Sequence, residues 1–240
     1  MLSVIIPAFN EERFLPETLG HLRRSTEHLG LVLGRDVEII VVDNASSDRT
    51  AEIALASGAK VIPVPEHNIA RVRNAGASAA SGDLLVFLDA DTLIPEGVLS
   101  RIVRVMEEPT CLGGAVDTDY RPARPLIRAY LRSWRLIGLW LGMAQGALQF
   151  CRRDAFFALK GYDESIYLGE DVDFYWRLGK FAKTRGQYVR FLKDVRVVPS
   201  CRRFDQWPTL RILIETNPLY ITLFRHRQAA WRGWYGDVPR

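Results

Sequence analysis

The nine residues Leu84–Thr92, LLVFLDADT, decide the fold and raise the first question about function. Five apolar residues lead directly into two carboxylates, Asp89 and Asp91, which predicts a buried strand that ends at a polar edge of the molecule. A strand that is apolar on both sides of its pleat belongs to a sheet covered on both faces. Two negative charges at its end need a positive partner, because burying unpaired charge is unfavourable.

Apolar runs of this kind alternate with helical segments through the first half of the chain. Strands are predicted for SVIIP, VEIIVVD, KVIPVP and DLLVFLDAD. Helices are predicted for LPETLGHLRRSTEHL and PEGVLSRIVRVMEE. Two more are predicted between them: one follows the polar turn NASSD and ends at Gly58, and the other is NIARVRNAGASAASG, which ends at Gly82. This alternation predicts an α/β fold with a doubly wound, mainly parallel sheet.

The second half has a less regular pattern. A strand is predicted for LGGAVDT, a strand, a helix and a turn for GALQFCRRDAFFALKGYDE, and a helix that begins at GED. The segment PLIRAYLRSWRLIGLWLGM has helical periodicity, with Arg128, Arg132 and Arg135 predicted opposite an apolar face. That face consists of Ile127, Tyr130, Leu131, Trp134, Ile137, Gly138 and Leu141. Two interpretations are open: the apolar face packs on the core and the arginines lie in water, or the helix lies at a membrane interface.

The composition is that of an ordinary globular protein. The chain has 240 residues, 48% of them hydrophobic, which is enough for one well-cored domain. A formal charge of +4 without a recognisable motif does not indicate nucleic-acid binding. Cys111, Cys151 and Cys201 have no metal or redox spacing and are expected to be reduced core residues. The apolar runs are too short for a signal peptide or a membrane span, so the cytoplasm is the expected compartment, with peripheral contact at the inner membrane face left open.

Polar residues follow three of the predicted strands, in AFNEE, DNASSD and DADT. Ligands of such sheets bind beyond the carboxyl ends of the strands, so these residues should converge at one edge. The residues expected there are Asn10, Glu11, Asp43, Asp48, Asp89 and Asp91. A D-x-D pair has the oxygen ligands that Mg²⁺ and Mn²⁺ prefer, and such an ion commonly bridges carboxylates to substrate phosphates. For the pair alone, two solvated turn acids are an equally good interpretation.

Four motifs, occurring in order, resemble those of the family 2 glycosyltransferases: SVIIPAFNEERFLPETL, EIIVVDNASSDRT, RNAGASAASGDLLVFLDADT and GYDESIYLGEDVDFYWRL. The resemblance covers roughly residues 2–180. It implies the GT-A fold and inverting transfer of a sugar from a nucleoside diphosphate sugar, in this family most often a UDP-sugar, with Mn²⁺ or Mg²⁺. The acceptor is expected to be lipid-linked or a small glycoside. Processive members carry Q-x-x-R-W and membrane spans, and neither follows Asp171, so a non-processive enzyme is expected.

The resemblance also assigns roles to matching positions. The nucleotide-sugar contacts would be Pro7, Ala8, Phe9, Asn10, Glu11, Asp43, Asn44, Arg73, Asp89 and Ala90. Asp91, together with Asp89, would hold the metal, and Asp171, with Glu170 beside it, would be the general base. Inverting transfer needs such groups, because negative charge develops on the leaving diphosphate while the acceptor hydroxyl loses a proton.

Some positions keep a second interpretation. Asp48 is expected to start a helix, and Asp163 and Glu164 either contact the acceptor or shape a turn. Arg71 and Asp173 are weaker alternatives to Arg73 and Asp171. Two other functions also stay open. A sugar nucleotidyltransferase would carry a glycine- and arginine-rich phosphate loop where this chain has PAFNEERF, and a non-catalytic protein would bind the nucleotide sugar without turnover.

The chain is expected to form one domain over residues 1–200, with a nucleotide-sugar half at 1–92 and an acceptor half at 93–200. Residues 201–240 are basic and aromatic and are expected to pack on that domain. Within them, Arg202 and Arg203 either contact the diphosphate or remain exposed charges. His226 is expected to be a solvated surface residue.

Overall fold

The computed structural model describes residues 1–144 and 146–227. The first half contains β1 (Leu2–Ala8), α1 (Leu15–Leu33), β2 (Val37–Asp43), α2 (Thr50–Ala56), β3 (Lys60–Pro63), α3 (Ile69–Ala79), β4 (Leu84–Leu88), β5 (Thr92–Leu93) and α4 (Val98–Met106). The second half contains β6 (Cys111–Thr118), α5 (Pro125–Leu141), β7 (Leu148–Arg152), α6 (Arg153–Ala158), α7 (Glu170–Lys183), β8 (Tyr188–Pro199), α8 (Arg202–Gln206), α9 (Thr209–Glu215) and α10 (Pro218–Phe224).

The strands of the described residues form one sheet in the order β3-β2-β1-β4-β7-β6-β8-β5. β1 is parallel to β2 and β4, β2 to β3, and β6 to β8, whereas β7 is antiparallel to both of its neighbours and β5 to β8. The predicted α/β fold with a mainly parallel sheet is confirmed. Because Ala8 is in register with Asp43, the loops after β1 and β2 leave the sheet side by side.

The core lies on both faces of the sheet, as the continuous apolar strands predicted. Val4 and Ile6 of β1 pack in the cluster on one face, whereas Ile5 packs in the cluster on the other. Helix α3 approaches the second face closely because Gly76 lies against the strands. A Cβ at Gly76 would come within 2.4 Å of the Ile5 Cγ2 atom and 2.8 Å of the Val42 Cγ2 atom. This close approach fixes α3, and with it Arg73, over the end of the sheet.

Helix α3 and strand β8 differ from the sequence prediction, and β5, α8, α9 and α10 were not predicted either. Helix α3 ends at Ala79 rather than at Gly82, because Ala80 already has an extended conformation. The strand β8 was not predicted, since charged residues such as Arg190 and Arg196 interrupt its apolar pattern. β8 nevertheless pairs with β6 along most of its length. The register of this pairing shifts between Val116 and Asp117 of β6.

One arginine of α5, Arg135, lies elsewhere than predicted, whereas Arg132 is exposed, as predicted. Ile127 is buried against the C-terminal helices, as expected for the apolar face. Arg135 does not lie in open water: its Nε donates to Oδ1 of the buried Asp117 at 2.8 Å. The side of α5 that faces solvent instead exposes Leu136 and Trp140. The interpretation that leaves the α5 arginines in water is therefore wrong for Arg135.

The described part of the C-terminal segment contacts the rest of the chain. Trp207 and Ile212 are buried against Ile127 of α5. Arg225 donates to Oδ1 of Asp173 at 2.8 Å. Such contacts are those expected if residues 201–240 pack on the domain, although residues 228–240 lie outside the described residues. The predicted division of the chain into a nucleotide-sugar half that ends at residue 92, an acceptor half that ends at residue 200 and a C-terminal segment stays a prediction.

Two expectations from composition have definite outcomes. Cys111 and Cys151 are free and buried, as predicted, whereas Cys201 is free but only half-buried. None of the helices in the described ranges has the length and apolar character needed to cross a bilayer.

Candidate active site

A pocket of about 490 Å³ opens at the carboxyl ends of β1 and β4 and extends to the C-terminal helices. Its volume is within the range of about 300–1,000 Å³ that is typical of small-molecule sites. The predicted site residues that line it are Pro7, Ala8, Phe9, Glu11, Asn44, Arg73, Asp89, Ala90, Asp91, Glu170 and Asp171. Asn10 and Asp43 are not among the lining residues. The structure thus brings most of the predicted set to one place, while the role of each residue stays a prediction.

Arg73 is the buried cation of this pocket. Its side chain is 3% exposed and donates to Asp89 Oδ1 at 2.9 Å and to Glu170 Oε1. Burial alone would lower the pKa of Arg73, but the two carboxylates raise it well above the ordinary value. The ring of Tyr162 lies beneath the guanidinium, 5.3 Å from its carbon. Arg73 is therefore one positive partner of the acids that end β4.

The carboxylates around Arg73 are not fully neutralised. Burial raises the pKa of Asp89 to about 6, because Arg73 offsets it only in part while Asp91 and Asp171 add negative charge. The Asp89 side chain is 33% exposed and lines the pocket. Burial also raises the pKa of Glu170, against the opposing effect of Arg73. The pocket therefore favours an additional positive charge near Asp89.

Asp91 lies beside the C-terminal segment. Arg202 of α8 donates to both carboxylate oxygens of Glu11, and its Nη2 lies 3.2 Å from Asp91 Oδ2. Burial alone would lower the pKa of Arg202, but Glu11 and Asp91 raise it above its ordinary value. Arg203 also lines the pocket, where burial lowers its pKa. The alternative in which these two arginines are exposed surface charges is wrong.

Asp171 is held in place at the start of α7. Its side chain is half-buried and lines the pocket. A Cβ at Gly146 would come within 2.7 Å of the Asp171 Cβ atom and 2.8 Å of Oδ2, so only a glycine leaves room for the carboxylate there. Gln149 Nε2 donates to the Asp171 main-chain oxygen at 3.0 Å. The Asp171 carboxylate is thus positioned by backbone on one side and open to the pocket on the other.

The loops after β1 and β2 order one another. Asn10 has a left-handed backbone, with φ of 51°, and its Oδ1 accepts from Ser47 N at 2.7 Å. Asn44 is buried, and its Nδ2 donates to the main-chain oxygens of Val64 and Glu66, each at 2.8 Å. These contacts fix the shape of the predicted nucleotide loop, which leaves Phe9 and Glu11 facing the pocket.

Asp89 and Asp91 fit a divalent cation that arrives with a diphosphate. Both carboxylates line the pocket, and carboxylate oxygens are the donors that Mg²⁺ and Mn²⁺ prefer. Burial is the main cause of the raised pKa of Asp89, and the charge of Asp91 adds to it, so a cation held between the two carboxylates would be stabilised by both. Across residues 1–144 and 146–227, no three His, Cys, Asp or Glu side chains group into a metal site by themselves. The remaining ligands would therefore have to come from phosphates and water.

Several polar residues with a second interpretation make contacts within the protein, and their roles toward the acceptor stay predictions. Asp48 accepts from Thr50 N at 3.0 Å and so starts α2. Asp163 accepts from Ser165 N at 2.9 Å, which is a turn contact. Glu164 pairs with the Arg71 Nε at 2.8 Å. The other two outcomes are that Asp173 pairs with Arg177 and Arg225, and that His226 is exposed, as predicted.

Some residues of the pocket were not identified from the sequence. The buried Asp117 and the half-buried Arg135 form an ion pair in its lining, and Tyr120, Trp134 and Trp176 contribute aromatic surface. The only local signal was that Asp117 follows the apolar start of the predicted strand LGGAVDT. Its partner on α5 is brought to it by the tertiary fold alone.

Comparison with known proteins identifies the family. The model of the family described as Glycosyl transferase family 2 matches residues 3–157, more than half of the chain. The undecaprenyl-phosphate 4-deoxy-4-formamido-L-arabinose transferase of Enterobacter sp. (strain 638) is 35% identical over 155 residues, which are 60% of this chain and 45% of that protein. The chain thus spans less than half the length of this curated relative.

Solved structures show the same fold. The mannosyltransferase PcManGT from Pyrobaculum calidifontis, in complex with GDP-Man and Mn²⁺, has a TM-score of 0.66 at 22% identity, covering 99% of this chain and 65% of that one. The Mycobacterium tuberculosis glucosyl-3-phosphoglycerate synthase, in complex with Mg²⁺ and UDP, has a TM-score of 0.58 at 21% identity, covering 94% and 79%. The predicted GT-A fold is confirmed. From the match over residues 3–157, this chain belongs to glycosyl transferase family 2.

Proposed function

We propose that this protein transfers a sugar from a nucleoside diphosphate sugar to an acceptor, with inversion at the anomeric carbon. The observation that carries the proposal is the meeting of Asp89, Asp91 and Asp171 in one pocket with the buried Arg73. The first two follow the central strand, and the third begins a helix from the other half of the chain. Membership of family 2 supports the same reaction class.

The nucleotide would lie along the loop Pro7–Glu11, beside Asn44 and Arg73. Phe9, whose ring centroid is 4.6 Å from that of the exposed His67, offers an aromatic wall for the base. Asp43 lies next to this loop, in register with Ala8, and accepts from Ser46 N through Oδ1, which leaves Oδ2 for the ribose. The related structures contain GDP-Man in one case and UDP in the other, so a UDP-sugar is one of at least two donor classes to test.

Asp91 and Asp89 would hold Mn²⁺ or Mg²⁺ at the diphosphate. When bound, the ion would neutralise the negative charge that develops on the leaving diphosphate. The chain's own contribution is to keep Asp89 oriented through Arg73 and Asp91 through its neighbour Arg202. Both arginines lie within the same pocket, where they would also contact phosphate oxygens.

Asp171 would accept the proton of the acceptor hydroxyl. In the proposed step the acceptor oxygen bonds to the anomeric carbon, the bond from that carbon to the diphosphate oxygen breaks, and the proton passes to the Asp171 carboxylate. A base positioned in this way contributes about 10²–10⁴-fold in rate. Glu170 is engaged by Arg73, so its role would be to position the arginine rather than to move a proton.

A lipid-linked acceptor is favoured over a small glycoside. Beyond Asp171 the pocket is walled by apolar side chains, among them Leu131, Trp134, Met143 and Ile221. The relative from Enterobacter is named for undecaprenyl phosphate. A lipid phosphate is already ionised near neutral pH, because its second pKa is about 6, and would not need Asp171 as a base. The Asp171→Asn variant therefore distinguishes a hydroxyl acceptor from a phosphate acceptor.

The test is a transfer assay with a panel of nucleotide sugars, offered with undecaprenyl phosphate or with simple glycosides. We expect release of nucleoside diphosphate with one acceptor and a product of inverted anomeric configuration. With a hydroxyl acceptor, Asp171→Asn should lose at least about tenfold in turnover while it still binds the donor. Asp154→Asn, at the exposed first turn of α6, is the matched control and should keep normal turnover.

Each contrary result has a definite meaning. A product of retained configuration would refute the single displacement. Near-normal turnover of Asp171→Asn with a hydroxyl acceptor would remove Asp171 from the role of base. Nucleotide-sugar binding without turnover on any acceptor would favour the non-catalytic binder, and formation of the nucleotide sugar from a sugar phosphate would favour the nucleotidyltransferase.

A further inference from the structure

Helix α5 carries a second apolar surface that faces solvent. In the described residues, nine of the fifteen exposed large apolar side chains lie on α5, α9 and α10. On α5 they are Leu126, Leu136, Ile137 and Trp140, and Trp140 is 86% exposed. Their spacing places all four on one side of the helix, away from the buried Ile127. α5 is therefore apolar both toward the protein and toward solvent.

The two short helices that follow α8 continue this surface. Leu210, Leu213 and Ile214 are exposed on α9, and Leu219 and Leu223 on α10, the last two at 74% and 75%. Exposed apolar side chains that occur singly need no explanation, but a contiguous patch indicates an interaction site. The exposed apolar side chains of α5, α9 and α10 are called the apolar face below.

The apolar face lies on helices that also wall the candidate active site. α5 and α9 pack together through the buried Ile127 and Ile212, and Tyr130 Oη lies 2.9 Å from Thr216 Oγ1 at the end of α9. The inner sides of the same helices line the pocket, through Trp134 of α5 and Ile221 of α10. A molecule that covers the apolar face would therefore contact the outer side of the helices that wall the pocket.

The charges on these helices indicate an anionic partner. α5 contains three arginines and no acid, and no acid occurs at all between Asp119 and Asp154. The one acid on α9 and α10, Glu215, is paired with Arg211 at 2.8 Å. A second copy placed on this face by two-fold symmetry would set the exposed Arg132 against other arginines, which is unfavourable. Anionic lipid headgroups complement both the exposed Arg132 and the apolar side chains beside it.

We propose that the apolar face docks this protein on the surface of an anionic lipid bilayer. Trp140, Leu136 and the leucines of α10 would enter the boundary between headgroups and acyl chains, with Arg132 at headgroup level. The helices that wall the pocket would then lie on the membrane, which would keep a lipid-linked acceptor close to the pocket. Only this last point rests on the proposed function; the docking itself rests on the exposed side chains.

The experiment is flotation of the whole chain with vesicles of phosphatidylglycerol and phosphatidylcholine in equal parts, and with phosphatidylcholine alone. We expect binding to the anionic vesicles that weakens at high salt. The test variant carries Leu136→Glu and Trp140→Glu, and should bind at least about tenfold more weakly because two inserting side chains become charged. The matched control carries Leu31→Glu and Leu55→Glu, which are also exposed but lie on α1 and α2, and should bind almost as well as the wild type.

Two further measurements keep the outcomes distinct. Thermal unfolding of both variants should match the wild type, because all four positions are exposed. Nucleotide binding should also be unchanged, and its absence from every variant and from the wild type would count against the proposed function without affecting the docking. Failure of the wild type to float with anionic vesicles would overturn the docking proposal, as would equal losses in both variants. A dimer that the Leu136→Glu, Trp140→Glu variant abolishes, without vesicle binding, would assign the face to a second copy.

Discussion

Replacing Arg73 with methionine tests the electrostatic arrangement at the floor of the pocket. Arg73 is 3% exposed and lies between the carboxylates of Asp89 and Glu170. Methionine keeps much of the length of the arginine side chain and its packing on the Tyr162 ring, but it removes the positive charge and the hydrogen-bond donors of the guanidinium. The variant therefore leaves the buried Glu170 and the one-third exposed Asp89 without the cation that they share.

The expected loss of stability follows from burial. Removing one partner of a buried ion pair destabilises a protein by about 3–5 kcal/mol, because the other charge stays buried without compensation. The two carboxyls relieve part of this by taking up protons, since the pKa of each, already raised by burial, would rise further. We therefore expect a loss of about 3 kcal/mol at pH 7 for Arg73→Met.

The pH dependence has a defined sign. A carboxyl whose pKa is higher in the folded than in the unfolded state makes the protein less stable as pH rises between the two values. The loss caused by Arg73→Met should therefore be smaller at pH 5 than at pH 8. Urea unfolding at both pH values measures it, and adding Glu170→Gln to Arg73→Met should restore at least about 1 kcal/mol, because one of the two unpaired charges is removed.

Arg71→Met is the matched control for this prediction. Arg71 lies on the same helix, but its side chain is 44% exposed and pairs with Glu164 in contact with water. Exposed ion pairs contribute little to stability, so Arg71→Met should unfold close to the wild type at either pH. Equal stability of the Arg73→Met and Arg71→Met variants, or a loss independent of pH, would refute the role assigned to Arg73.

Three further predictions concern the same pocket. Gly146→Ala should lower turnover at least about tenfold, because the added Cβ would displace the Asp171 carboxylate. Gly97→Ala is the control and should keep normal turnover, since a Cβ there meets nothing within 4 Å; initial rates of both variants measure the difference. Asp89→Asn should make the free energy of unfolding less dependent on pH between about 4 and 6, because the raised pKa of Asp89 makes the wild type less stable as pH rises through that range. Urea unfolding at several pH values measures this, and the same change of stability with pH in variant and wild type would contradict it. Arg202→Gln should weaken UDP or GDP binding about tenfold by calorimetry if Arg202 contacts the diphosphate, and equal affinity would exclude that contact.

The sequence was sufficient where one segment determines its own structure. The apolar run before Asp89 predicts a buried strand, and the turn residues after it place Asp89 and Asp91 at the edge of the sheet, as observed. The same applies to the alternation of strands and helices in the first half. Arg73 was assigned by resemblance, and its burial on α3 follows from the close approach that Gly76 permits.

Contacts between distant segments could not be predicted. Glu11 and Arg202 are separated by 191 positions, and neither local sequence indicates the other as its partner. The pairing of Arg135 with Asp117 has the same origin, and it explains why the hydrophobic periodicity of α5 gave the wrong environment for that arginine. Periodicity predicts which sides of a helix are apolar, but not which of them the rest of the chain covers.

The measurement that tests the proposed function most directly is a thermal-shift panel with UDP, GDP, dTDP and CDP, each with and without Mn²⁺. It compares the wild type with Asp91→Asn, and with Asp154→Asn as the control for an exposed carboxylate. We predict a metal-dependent rise in Tm with at least one nucleotide, lost in Asp91→Asn and kept in Asp154→Asn. No rise with any nucleotide in the wild type, or a full rise in Asp91→Asn, would contradict the proposal that Asp91 and its neighbour hold a metal–diphosphate.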